Sequence, residues 1–173
     1  NESPIIETTN LQNTFFNCVN FNGNISNWDV SGVTNMGQMF EKAQVFNQNI
    51  SNWNVSNVTN MYSMFSSARA FNQNISSWNV SNVTDMYAMF ATAIAFNQNI
   101  GGWNVSNVTD FRIFMTGKSS LNFSASNLDA IYNGWSSRPV KPNITISFGT
   151  IKYTAASIAG KSILTSSPDL WTI

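Results

Sequence analysis

At 173 residues the chain has the length of one domain with a sizeable core. Only 9% of it is charged, and eight basic residues balance eight acidic ones without any Lys/Arg cluster, which excludes a phosphate-tracking nucleic-acid binder. No run approaches the ~18 apolar residues of a membrane helix, and NESPIIETTN lacks the basic and apolar regions of a signal peptide.

Residues 1–20 read as an N-terminal cap or degenerate repeat, in which Phe15 keeps the phase of Phe40, Phe65 and Phe90. The lone Cys18 excludes an internal disulfide and a cysteine-based metal site, and reads as a small buried hydrophobe. Residues 21–117 then hold four units of 25 residues, beginning FNGNISNWDVSGVTNMGQMF and closing on FNQNIGGWNVSNVTDFRIFM. Trp28, Trp53, Trp78 and Trp103 share one phase; so do Ile25, Ile50, Ile75 and Ile100, and likewise Phe21, Phe46, Phe71 and Phe96. A fixed period of this length marks units that bury their apolar faces only by stacking on one another.

Within a unit, Trp78-Asn79-Val80 alternates as a half-buried strand does, with Trp78 and Val80 inward and Asn79 outward. Thr84 suits a helix N-cap, and Met86, Met89, Phe90 and Ala93 follow at the spacing of an apolar helical stripe. The expected fold is therefore an α/β solenoid, with one short parallel strand and one short helix per coil. The Trp, Ile and Phe columns would be its core ladders. The columns Asn47/Asn72/Asn97 and Asn49/Asn74/Asn99 would be amide ladders at the bends.

Residues 118–173 form a C-terminal capping module of two irregular coils. Ser126 would cap a helix through Asn127–Tyr132 that Gly134 closes; Ile144–Phe148 alternates as a strand; a second helix is expected over Thr154–Leu164. Trp171-Thr172-Ile173 repeats the strand pattern, which suggests a parent protein that continues beyond it.

The unit I-x-x-W-[ND]-V-S-x-V-T-[ND]-M-x-x-M-F resembles the repeat of BspA-like leucine-rich-repeat surface proteins, known from mycoplasma and Listeria lipoproteins. The tail resembles the module that often follows those repeats. The resemblance implies a right-handed leucine-rich-repeat-like stack, an extracellular or surface location, and a role in attachment or surface structure. It carries over no catalytic residue.

Chemistry has few candidates. No histidine is present, which removes the commonest general base and metal ligand, and no cofactor motif occurs. The best acid pair is Asp85 with Asp110, equivalent positions in adjacent units and a weak candidate for a cation; helix capping is the favoured explanation of both. The reading is thus of a non-enzyme. The outward column Asp29, Asn54, Asn79 and Asn104 is the expected ligand-facing strip, taking other proteins or surface glycans. Alternatives are a self-associating structural subunit of a filament, sheath, coat or capsid, and a carbohydrate-binding module, which would need solvent-exposed tryptophan. The Asn-x-Ser/Thr triplets at Asn57, Asn82, Asn107, Asn122 and Asn143 arise largely from the repeat.

Overall fold

The computed structural model describes residues 7–173; the NESPII segment, on which the signal-peptide reading bears, lies outside the described residues. From residue 9 to residue 117 the chain makes successive 25-residue windings, each hydrogen-bonded to the next. Thr34, Thr59, Thr84 and Thr109 each donate their N–H to the threonine carbonyl one winding earlier, at 2.8 Å in every case. Among the described residues the windings contain no helix, and no sheet forms. The expected α/β solenoid with a strand and a helix per coil is therefore overturned, and its leucine-rich-repeat-like architecture with it. Strand-type pairing between neighbours is limited to isolated parallel bridges, at Asn10, Asn35, Asn60, Asp85 and Asp110. They fall on the T-[ND]-M segment, not on Trp-x-Val.

The physical reason lies in left-handed residues. Asn13, Gln38, Ser63, Ala88 and Ile113 have φ between 50° and 63°, and so do Asn17, Lys42, Ser67 and Thr92 four residues further on, at 54–61°. One such residue costs about 1–2 kcal/mol and ends any α-helix. The kink turns its own N–H out along the stack: Gln38 donates to Tyr62, Lys42 to Ser66, Ser63 to Tyr87 and Ala88 to Arg112, over 2.7–3.0 Å. Residues between them close local turns, as Met89 does onto Met86 at 3.2 Å. The methionine and phenylalanine stripe is thus buried as its spacing suggests, but on turns whose bonds run between windings.

Two phenylalanine columns fill the interior. Phe15, Phe40, Phe65 and Phe90 stack at 5.5–5.8 Å, while Phe21, Phe46, Phe71 and Phe96 stack at 5.8–6.1 Å. Within a winding the two columns meet at 3.8–4.0 Å. Each such ring, fully removed from water, contributes on the order of 1.5–3 kcal/mol. Beside them the indole N–H groups of Trp53, Trp78 and Trp103 donate to the carbonyls of Ile25, Ile50 and Ile75, at 3.1–3.2 Å. Each tryptophan thereby ties its winding to the one before. Trp28 is only partly buried against the core.

The C-terminal module continues this pattern with other elements. Helix α1, Ala125–Ser136, is capped by Ser124 rather than Ser126 and runs through Gly134. It takes the place of a fifth winding. Its Trp135 donates to the Ile100 carbonyl at 3.2 Å, and its Asn127 to the Asn97 carbonyl at 3.0 Å. Contact is close enough that a Cβ on Gly101 would meet the Ala130 carbonyl, and one on Gly134 the Gly101 carbonyl. That explains why Gly101 replaces the serine of the other units. The expected strand over 144–148 supplies only single bridges, from Ile146 to Phe111 and from Thr145 to Thr172. After a 3-10 turn at Ala155–Ser157, helix α2 spans Ile158–Thr165. Phe111 and Phe114, at 5.1 Å edge to face, break the phenylalanine column and lead into Trp135, Phe148 and Trp171.

Lys118 closes the last winding. It is 1% exposed, and its ammonium donates to the carbonyls of Ala93, Ile94, Phe96 and Asn122 at 2.6–3.2 Å. Burial pushes it down to about 8; the four carbonyls it serves oppose that pull. Cys18, expected inside, is exposed.

Candidate functional site

The strip of Asp29, Asn54, Asn79 and Asn104 lies fully on the surface. In each, Oδ1 accepts from the N–H two residues on, at Ser31, Ser56, Ser81 and Ser106, over 3.0–3.2 Å. This fixes the side chains. Among the described residues the amide nitrogens of Asn54, Asn79 and Asn104 have no protein partner, so each of these three windings presents one oriented donor. The Ser31 bonds hold the Asp29 carboxyl below its usual range.

The neighbouring columns are occupied. Asn57, Asn82 and Asn107 donate to the carbonyls of Ser31, Ser56 and Ser81 at 2.7–2.8 Å. Glycosylating these nitrogens would break that ladder. Asn22, Asn47 and Asn72 each accept from the N–H one winding on, and Gln73 and Gln98 double the link. The Asn49/Asn74/Asn99 column differs from its expectation: those side chains accept from Ser51, Ser76 and Gly101 within their own winding. Trp53, Trp78 and Trp103 are 4%, 4% and 1% exposed, which removes the exposed tryptophan ladder that a sugar-stacking face requires.

Asp85 and Asp110 are bridge neighbours, as their spacing suggested, yet neither caps a helix. Asp85 accepts from the Tyr87 N–H at 2.8 Å, the bond that Asn60 makes to Tyr62. Burial pushes its carboxyl up, and the Asp110 charge adds to this. Asp110 takes the Arg112 guanidinium at 2.7 Å, and this pairing holds it down. With Asp110 committed to an arginine, the pair offers one unpaired carboxylate. Among the described residues no three His, Cys, Asp or Glu side chains converge on a cation position.

One site was missed. Asp129, in α1, accepts from the Thr154 N–H and hydroxyl and from the Ser157 hydroxyl. Burial opposes its ionisation, but the three donors outweigh it and keep the carboxyl low. This tether sets α2 so that Lys161 lies 4.7 Å from the Tyr153 ring and 5.9 Å from that of Tyr132. A pocket of about 280 Å³ opens beside them. The available signal was charge by segment. Residues 1–130 hold seven acids against four bases, and residues 131–173 hold Arg138, Lys141, Lys152 and Lys161 against Asp169. A net charge of zero hides a −3 repeat region beside a +3 cap.

A family model, described as a Mycoplasma protein of unknown function, DUF285, matches residues 9–130. The chain belongs to that family. The match spans the windings and the first half of α1, and leaves residues 131–173, the basic part of the cap, outside it. No curated protein and no solved structure matches the chain. Among the described residues no helix is long and apolar enough to cross a membrane.

Proposed function

We propose that this chain is a non-enzymatic, surface-exposed repeat module for adhesion or protein–protein interaction, akin to BspA-like surface proteins. The observation that carries the reading is the oriented, uncharged donor column of Asn54, Asn79 and Asn104, one in each of three successive windings. Such a row suits a flat or repetitive neutral target read by hydrogen bonds, on the kind of open face that repeat proteins use for partners. Membership of a family seen in Mycoplasma is compatible with it. The test is the double variant Asn79→Arg with Asn104→Arg. Attachment to cells or immobilised host glycoproteins should fall at least tenfold while the near-UV spectrum stays native. Unchanged attachment by the folded variant removes the strip from consideration.

A structural subunit is the second reading, favoured by apolar side chains at both ends of the stack. Phe16 is 39% exposed at one end, and Ile158, Ile163 and Leu170 are 49–57% exposed at the other. Size-exclusion chromatography with negative-stain microscopy separates the two: ordered polymers favour assembly, and monomers that bind cells favour adhesion.

A further inference from the structure

The pocket in the C-terminal cap has the chemistry of a binding site for a small organic anion. Its floor is apolar, with Ile146, Phe148 and Tyr132. Tyr132 stands edge to face with Phe148 at 5.5 Å and with Tyr153 at 5.7 Å, so three rings make a semi-rigid box. The rim carries Lys152 and Lys161, and no acidic side chain lines the pocket. The nearest acid, Asp129, has its oxygens turned to Thr154 and Ser157. Neither lysine has a carboxylate partner among the described residues, whose one ion pair is Arg112 with Asp110.

Tyr132 supplies a second, independent pointer. It is only 2% exposed, yet among the described residues its hydroxyl makes no hydrogen bond. No buried side-chain oxygen is sealed without a partner, so this hydroxyl opens onto the pocket. The hydroxyl of an otherwise buried ring thus stands ready to donate, beside an ammonium positioned over two rings. The segment lies outside the family match and in the +3 part of the chain.

We infer that Tyr132, Lys161 and Lys152 bind a small carboxylate carried on an aromatic or aliphatic body, the body lying against Ile146, Phe148 and Tyr153. Lys161 supplies the charge-assisted bond and the Tyr132 hydroxyl the second donor. Size sets the class: about 280 Å³ is at the lower edge of ligand pockets, enough for a single-ring acid.

The experiment titrates the full chain with phenylacetate and, separately, with its neutral isostere phenylacetamide, read by calorimetry and by amide shifts in heteronuclear NMR. Phenylacetate should saturate and shift the amides of Tyr153 and Lys161. Phenylacetamide, and phenylacetate with Lys161→Met, should bind about tenfold more weakly, as loss of a charge-assisted bond implies. Tyr132→Phe, which keeps the ring packing, should weaken binding several-fold at unchanged Tm. The proposal is overturned if phenylacetate fails to saturate, if the amide binds as well as the acid, or if Lys161→Met and Tyr132→Phe both leave affinity unchanged. No residue of the Asn strip lines this pocket, so failure here leaves the adhesion reading standing.

Discussion

Gly101→Ser would restore the residue that the other units carry at this position, Ser26, Ser51 and Ser76, and it should nonetheless destabilise the protein. The φ of Gly101 is not in the left-handed region, so the backbone itself accepts a side chain. Replacing the glycine alone would gain about 0.4–1 kcal/mol by restricting the unfolded chain. Against that, the new Cβ would meet the Ala130 carbonyl and the Ile131 amide of α1. Backbone of a packed helix has to move, at a cost of about 1–3 kcal/mol. The displaced helix also loosens the Trp135 bond to Ile100, at about 1 kcal/mol. The net is a loss of about 2 kcal/mol, or a Tm lowered by about 4–8 °C for a chain of this length. Gly102→Ser is the control, since nothing lies within 4 Å of its added Cβ; it should stay within about 0.5 kcal/mol of wild type. Thermal melts followed by circular dichroism and tryptophan emission read both. A Gly101→Ser protein as stable as wild type, or a Gly102→Ser protein equally damaged, refutes the account of the helix contact.

The tryptophans should divide by position: Trp78→Phe leaves the Ile50 carbonyl without its donor and should cost about 2–4 kcal/mol in urea unfolding, whereas Trp28→Phe, half-buried, should cost clearly less. Asp85→Asn copies the residue at Asn60 and keeps the bond to the Tyr87 N–H. Because burial raises the folded Asp85 pKa above its unfolded value, its charge opposes folding above that range, and the opposition fades as pH falls through it. The variant should therefore gain a few tenths of a kcal/mol at pH 7 and none near pH 3, as parallel urea titrations would show. A gain that persists at pH 3 contradicts this cause.

What sequence made visible was the period and its columns, because identical residues 25 apart must meet identical surroundings in a stack. The inward Trp and Val, the two phenylalanine columns and the Asn47/Asn72/Asn97 ladder all follow from that. The strands and helices did not form, and the reason is instructive. Met86, Met89, Phe90 and Ala93 have helical spacing, but Ala88 and Thr92 sit between them at φ of 53° and 54°. Neither residue type advertises a left-handed backbone, and among the residues in these two phases only Asn13, Asn17 and Gly117 do so. Gly134 looked like a helix stop and is instead a point of contact between backbones. The carboxylate pair was placed correctly as neighbours, while the Asp110–Arg112 link that commits one of them was not foreseen. The cap pocket escaped notice because a balanced total conceals charges sorted by segment, and because Tyr132 and Lys161 are brought together only by the Asp129 tether.

The bonds between one winding and the next are the same bonds at every level, from Thr34 on Thr9 to Thr109 on Thr84. An in-frame excision of one whole unit, such as residues 47–71, would seat Asn72 on Asn22 with nothing left unmatched. Adding or removing a whole unit therefore changes the reach of the stack in steps of one winding, without reopening the question of folding.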